Sequence, residues 1–225
     1  MIQNFKLVSK KNLTHNVYEL DFECEKNFSF IPGQFVTFLL EVWWRAYSIL
    51  EEDWKVLKLI IKKRELDEWG RWWSKFLCEL NIWEEIRWVG PAGHFTLKEN
   101  NNSKLFLWTG TWFVPLYNQI ISWLKYNSDV NFKLIFWART EDDLFYVDTL
   151  SKLKENYKNF DYEIFLSNEE KDNYKHWYVT WFINDKTITE FSEAYICWIP
   201  VMIDSAKSIL IENWFNEKDI YTEKY

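Results

Sequence analysis

The chain has 225 residues, a net charge of −7 and 48 % hydrophobic content, enough for one large or two modest domains with an ample core. An acidic balance with charges interspersed and no basic stripe excludes nucleic acid or an anionic membrane as the main partner. No run approaches eighteen apolar residues and the opening "MIQNFKLVSKKNLTHN" mixes polar residues throughout, so the expectation is a soluble cytoplasmic protein. Cys24, Cys78 and Cys197 lie far apart without C-x-x-C spacing, and there are only three histidines. That excludes iron–sulfur and zinc sites of the common kinds, so any redox chemistry comes from an organic cofactor.

The first half reads as strands. "NVYELDFEC" (16–24) alternates Val17, Tyr18, Leu20 and Phe22 with polar residues. "GQFVTFLLEV" (33–42), "KVLKLIIKK" (55–63) and "EIRWVG" (85–90) follow, and several short strands with turns between them predict a small antiparallel barrel. "SKFLCEL" (74–80) reads as a helix with Ser74 as its N-cap. The polar stretch "LKENNNSK" (97–104) marks the boundary between domains expected over 1–99 and 103–225. Beyond it the rhythm changes to strand "KLFLW", helix "VPLYNQIISWLKYN", strand "NFKLIFWA" and a helix over "EDDLFYVDTLSKLKENY" with Leu144, Val147, Leu150 and Leu153 on one stripe. Strands "YEIFLS" and "EAYICW" and a helix "PVMIDSAKSILIEN" complete a Rossmann-like α/β pattern with a parallel sheet.

Sixteen tryptophans against five glycines is an inverted ratio. Many tryptophans stand where a backbone wants glycine. Trp54 follows Asp53 between two strand-like segments, Trp83 links a helix to a strand, and Trp214 lies just past a helix. "EVWWRAY" and "DEWGRWWSKF" would crowd paired indoles into loops, and almost no tryptophan fits an apolar period. Counted together, the two residue types come to an ordinary glycine share of about 9 %. The pattern points to UGA codons that the source reads as glycine and that are written here as tryptophan.

Seven motifs follow one another: "FIPGQFVTF" (30–38), "RAYSI" (45–49), "GRWWSKFL" (70–77), "GPAGHFTL" (90–97), "TGTWFVP" (109–115), "FWART" (136–140) and "YICWIPVM" (195–202). In order and spacing, over nearly the whole chain, they resemble the ferredoxin–NADP reductase superfamily of flavoenzymes. The resemblance implies an N-terminal antiparallel β-barrel that binds FAD and a Rossmann-like domain that binds NADH or NADPH. By it, Arg45 pairs with the FAD pyrophosphate and Ser74, with the amides around it in "GRWWSKFL" (Gly70, Trp73), closes on the same group. Tyr47 lies against the isoalloxazine and the Ser48 hydroxyl near flavin N5, Ala46 between Arg45 and Tyr47 is a further cofactor contact, and Ile61, Lys62 and Lys63 add flavin contacts. "GPAGHF" reads equally as a structural turn and as a flavin neighbour.

The same resemblance assigns the nicotinamide dinucleotide pyrophosphate to Thr109, Gly110, Thr111, Trp112 and Pro115. Trp112 and Trp198 depart from the family pattern, and real indoles there leave the nicotinamide short of room. Arg139 and Thr140 stand where the family reads the adenosine ribose or its 2′-phosphate. Acidic Glu141, Asp142 and Asp143 tilt that choice toward NADH. Cys197, with Trp198 and Pro200 beside it, lies near the nicotinamide; a small buried apolar role for Cys197 is the equal alternative. Tyr225 is either an aromatic lid on the flavin or an exposed terminus.

The implied chemistry is hydride transfer from NAD(P)H to flavin N5, with electrons passing to a separate acceptor such as a ferredoxin, a flavodoxin or an oxygenase. Ser48, Cys197 and Tyr225 are the residues placed nearest the reacting atoms. Two other readings stand: an electron-transfer subunit of a larger enzyme, like that of dihydroorotate dehydrogenase, and a decayed, non-catalytic flavoprotein if the tryptophans are genuine.

Overall fold

The computed structural model describes residues 2–26, 29–39, 44–53, 55–64, 72–126, 129–176, 183, 188, 190–213 and 215–224. They form two compact units, the first of residues 1–97 with 117–119, the second of 98–116 with 120–225.

The first unit is a seven-stranded antiparallel sheet in the order β4-β3-β7-β1-β2-β6-β5. Its strands are β1 (Ile2–Asn12), β2 (Val17–Cys24), β3 (Phe35–Leu39), β4 (Trp44–Ser48), β5 (Glu51–Asp53), β6 (Val56–Lys62) and β7 (Glu85–Ala92). β4, at one edge, meets β6 near the other, so the sheet closes around one core. Period-two alternation supplies that core: Phe5 and Leu7, Leu20 and Phe22, Val36 and Phe38, Leu57, Leu59 and Ile61, Ile86 and Trp88 all point inward. Helix α1 (Trp72–Glu79) adds Leu77 and Cys78. Lys10 closes its carboxyl end, its ammonium donating to the carbonyls of Cys78 at 2.9 Å and Leu80 at 2.8 Å.

A β-turn joins α1 to β7. The Glu84 N–H donates to the Asn81 carbonyl at 3.1 Å, and Trp83, third in the turn, has φ 79°. That is the type II position, where glycine is the ordinary occupant. The turn is held from outside by Trp83 N–H to Leu7 C=O at 2.7 Å and Leu7 N–H to Glu84 C=O at 3.0 Å.

The second unit is a six-stranded parallel sheet in the order β11-β10-β9-β8-β12-β13. Its strands are β8 (Lys104–Thr109), β9 (Phe132–Ala138), β10 (Phe160–Leu166), β11 (Lys175–His176), β12 (Glu193–Trp198) and β13 (Ile220–Lys224). Helices α2 (Phe113–Leu124), α3 (Val147–Asn156) and α4 (Pro200–Glu212) connect or flank them. β8 and β12 are central and buried along almost their whole length, as strands covered on both faces must be. One face, with Leu105, Leu107, Ile196 and Trp198, packs on Ile203, Ala206 and Leu210 of α4. The other is aromatic, with Trp108 against Phe113 and Phe136 at centroid distances of 4.6 and 4.9 Å and Phe113 against Phe145 at 5.5 Å.

Several expectations are corrected. Ser74 is the third described residue of α1 rather than its N-cap, and its hydroxyl accepts from the Arg64 N–H at 3.1 Å. The helix expected from Glu141 begins at Val147 instead. Glu141–Asp143 form a single 3-10 turn, Leu144 is extended, and Tyr146 sits at φ 63°, which ends any helix running in from upstream. Trp72 and Trp73 lie in α1, stacked on each other at 4.5 Å, not in a loop. Trp88, Trp108 and Trp198 are buried inside strands, which corrects the expectation that almost no tryptophan fits an apolar period. Trp43, Trp54, Trp69, Trp177, Trp181 and Trp214 lie outside the described residues.

Candidate active site

Four of the residues expected to hold flavin are consecutive on β4, Arg45–Ala46–Tyr47–Ser48, whose antiparallel partners on β3 are Phe38, Thr37, Val36 and Phe35. Alternation sends Arg45 and Tyr47 to one face and Ala46 and Ser48 to the other. Arg45 is exposed and has no carboxylate partner among the described residues. Tyr47 packs on the barrel core, edge-on to Phe38 at 5.6 Å. Burial pushes its phenol well above the ordinary tyrosine value, with the nearby Arg45 charge opposing, so it stays neutral and offers a polar tip on an apolar ring.

On β6, Ile61 is buried and Lys62 pairs with Val17 in register. Lys63, just past the strand, donates its N–H to the Asn16 carbonyl at 2.7 Å and pairs through its ammonium with Glu79 of α1 at 2.9 Å. Trp73 and Ser74 are buried in the first turn of α1. Gly70 lies outside the described residues, as does Tyr225. Near the other end of α1, burial pushes the Cys78 thiol up to about 12.

The strand order of the second unit reverses at β8. The chain proceeds from β8 outward through β9 to β10 on one side, while β12 and β13 occupy the other. Ligands of open α/β sheets bind outside the carboxyl ends of the strands at such a switch point. The register places Cys197 beside Trp108, so β8 and β12 end together and deliver Thr109–Gly110 and Trp198–Ile199 to one place.

Gly110 has φ 53°, and nothing lies within 4 Å of where its Cβ would be. A left-handed residue with open space before it, followed by a helix, is the arrangement that lets backbone amides face a phosphate. The helix that follows, α2, has no side-chain cap at its amino end, and neither has α4 after β12, which begins with Pro200. Pro115 is buried in the first turn of α2. Thr111 and Trp112 complete the intervening 3-10 turn.

The two indoles pack on the core of the second unit. Trp198 is 2 % exposed and packs in the core of the second unit, 5.7 Å from Trp137, and Trp112 leans on the same cluster. Cys197 is fully buried, and burial pushes its thiol well above the ordinary range, with Glu223 adding to the effect. It stays protonated and is no nucleophile.

At the carboxyl end of β9, Arg139 grips Asp143 with two hydrogen bonds, Nε to Oδ2 at 3.1 Å and Nη2 to Oδ1 at 3.4 Å. Thr140 is extended and leads into the 3-10 turn. The end of β10 lies alongside, Leu166 in register with Ala138, and brings Glu169 and Lys171 to the same place. Glu169 accepts the Glu141 N–H at 2.8 Å, and Lys171 pairs with both Glu141 and Glu169 at 3.1 Å. The sequence reading missed Glu169 and Lys171, because only the β9–β10 register connects residues so far apart. The i,i+4 spacing of Arg139 and Asp143 was a signal for that pair.

An oxidoreductase FAD-binding domain model matches residues 4–97, and an oxidoreductase NAD-binding domain model matches residues 106–208. A ferredoxin–NADP reductase from Sorangium cellulosum is 32 % identical over 170 residues, 72 % of this chain and 68 % of that protein. The chain belongs to the ferredoxin–NADP reductase family.

This family member is therefore an FAD-dependent NAD(P)H oxidoreductase. A component of the sodium-translocating NADH-quinone reductase from Haemophilus ducreyi is 26 % identical over 168 residues, 68 % of this chain and 41 % of that protein. Among solved structures, a ferredoxin–NADP+ reductase from Plasmodium falciparum has a TM-score of 0.82 and 25 % identity, covering 99 % of this chain and 95 % of that one. The FAD/NAD-binding domain of a Vibrio cholerae nitric oxide dioxygenase has the same fold, with a TM-score of 0.87, 13 % identity and coverage of 99 % and 98 %. The fold expected from the sequence, an antiparallel barrel followed by a parallel-sheet domain, is the fold observed.

Proposed function

We propose that this chain, with domains at 1–99 and 103–225, takes electrons from NADH and hands them to a separate acceptor of the ferredoxin, flavodoxin or oxygenase kind. When bound, the flavin supplies the chemistry, accepting a hydride from the nicotinamide and releasing electrons one or two at a time. The protein's part is to bind and orient. Arg45 neutralises the FAD pyrophosphate, with Gly70 and, from the first turn of α1, Trp73 and Ser74 closing on it. Ala46 and Tyr47 line the isoalloxazine with Ile61, Lys62 and Lys63, and the Ser48 hydroxyl stands toward N5. Thr109, Gly110, Thr111 and Trp112 form the dinucleotide loop, and Pro115 fixes the start of α2. Arg139 and Thr140 border the adenosine ribose. Cys197, held neutral, is a small apolar wall beside the nicotinamide with Trp198 and Pro200, and Tyr225 is the aromatic cover of the flavin.

The observation that carries this reading is Gly110, left-handed with open space before it at the sheet's switch point. Steady-state reduction of a dye by the purified flavoprotein, with NADH and NADPH side by side, tests it. Turnover with NADH supports the reading; a flavin-loaded protein inert to both, or turning over with NADPH alone, refutes it. The likeness to a component of the NADH-quinone reductase supports a second reading, in which the chain is the electron-entry part of a larger enzyme. Copurification with other protein components at fixed stoichiometry distinguishes it from a stand-alone reductase.

The tryptophan excess has its own reading, UGA translated by the source as glycine. Two local features support it. Trp83 occupies a left-handed turn position while 65 % exposed, so its ring contributes little to offset the strain. The indole N–H of Trp108 is buried with no hydrogen-bond acceptor among the described residues. Peptide mass spectrometry of the protein from its source decides between the residues. Tryptophan at position 83 ends the idea.

A further inference from the structure

α2 is an apolar helix with Phe113, Val114, Leu116, Ile120 and Leu124 buried, and packing gives no reason for an amide in its middle. Asn118 and Gln119 nevertheless stand there side by side, 4 % and 1 % exposed, in the 117–119 segment that belongs to the first unit. Asparagine is a poor helix former, and a buried amide costs stability unless it is bonded. Both are bonded to main chain. The Asn118 Nδ2 donates to the Ile49 carbonyl at 3.0 Å, and the Gln119 Nε2 donates to the Phe95 carbonyl.

These two carbonyls close the motifs "RAYSI" and "GPAGHF". A third motif, "FIPGQFVTF", meets them. The Gln34 carbonyl accepts the Ile49 N–H at 3.0 Å, and the Gln34 side-chain amide reaches the Gly93 carbonyl at 3.4 Å. Gly33 has φ 100°, and a Cβ there would run into the Phe95 carbonyl oxygen and the Gln119 amide. Past Ile49, the Leu50 N–H donates to the Lys58 carbonyl of β6 at 2.9 Å. The exit of β4 is thus buried and held by main chain on both sides, and Asn118 supplies a donor to the Ile49 carbonyl between them.

Resting on the reading that the Ser48 hydroxyl stands toward flavin N5, the geometry points to Asn118 as a positioning residue for hydride transfer. It acts through the Ile49 carbonyl on the stretch of backbone that presents Ser48. A hydroxyl one residue from that carbonyl moves when the carbonyl is released, and a displacement of about 1 Å is enough to slow a reaction by about tenfold or more.

Anaerobic rapid mixing of the flavin-loaded chain with saturating NADH reads the limiting rate of flavin reduction. Asn118→Leu, close in size and without a donor, should lower that rate about tenfold while the affinities for FAD and NADH change less than about twofold. Asn118→Ala carries the same expectation if the leucine variant fails to hold its flavin. Ile120→Val, which loosens the next residue of the helix, should leave the rate within about twofold, so weakened packing of α2 is not the cause. Ser48→Ala should slow reduction about tenfold or more, and adding Asn118→Leu to it should cost less than about twofold further. A full rate in both Asn118 variants overturns the inference, as do losses that multiply in the double variant. A full rate in Ser48→Ala instead overturns the reading of Ser48, and the inference with it.

Discussion

Replacing Trp83 by glycine should stabilise this protein, although a tryptophan-to-glycine change ordinarily does the reverse. Removing a large buried side chain costs about 3–5 kcal/mol. Trp83 is 65 % exposed, and its backbone is held at φ 79° by bonds to Leu7 on one side and the Asn81–Glu84 turn on the other. A residue with a Cβ in that conformation is strained by roughly 1–2 kcal/mol, which glycine relieves. Glycine returns about 0.5–1 kcal/mol of that through the greater freedom of its unfolded chain. The net gain is about 0.5–1 kcal/mol. Trp83→Ala isolates the cause, since it removes the same indole and keeps the Cβ, so it should be less stable than Trp83→Gly by about 1 kcal/mol. Urea titration followed by far-ultraviolet circular dichroism reads both as shifts of midpoint at constant slope. A Trp83→Ala protein as stable as the glycine form, or more so, would refute the reasoning.

Arg45→Ala should weaken FAD retention by about ten- to a hundredfold, the loss of a charged hydrogen-bond partner, measured by ultrafiltration and flavin fluorescence. Gly110→Val puts a β-branched residue at φ 53° and should abolish NADH binding in a titration while the flavin stays bound. Lys104→Met leaves Glu193, 1 % exposed, without the ammonium now 3.2 Å away and should cost about 3–5 kcal/mol in a urea titration. Burial by itself raises the Glu193 carboxyl, but hydrogen bonds from Asn100, Asn102 and Tyr195 and the Lys104 charge bring it below the usual carboxylate range. A lowered folded pKa gives stability that is present above the unfolded value of about 4.3 and fades as pH falls through the folded one. The urea midpoint should therefore fall below about pH 4–5 with a contribution that Glu193→Gln removes.

Period-two alternation locates β2, β3, β6 and β7 from the sequence alone, because each of these strands has one wet face and one buried face. The central strands β8 and β12 are legible for the opposite reason, as near-continuous apolar runs. β1 was not foreseen. It is eleven residues long, but only Phe5 and Leu7 are buried, so its signal drowns in lysines and asparagines. β13 at the sheet edge buries only Ile220 and gives no pattern at all. The Leu144–Leu153 stripe misled because helical spacing continues across Tyr146, whose left-handed backbone nothing in its side chain announces.

The candidate site divides in the same way. Motif order placed β4 and the Gly110 loop, since consecutive residues make both. The clamp on Arg139 was half visible as an i,i+4 pair. Its other half, Glu169 and Lys171, comes from the next strand and exists only through the pairing of β9 with β10. Trp198 was read as an obstacle at the strand's end. Strand alternation instead turns it into the α4-facing core.

Anaerobic mixing of the flavin-loaded protein with NADH, followed by absorbance, tests the central claim most directly. The account predicts rapid and complete bleaching of the oxidised flavin band by NADH, with NADPH much slower at equal concentration. A bound flavin whose band neither nucleotide changes would contradict it.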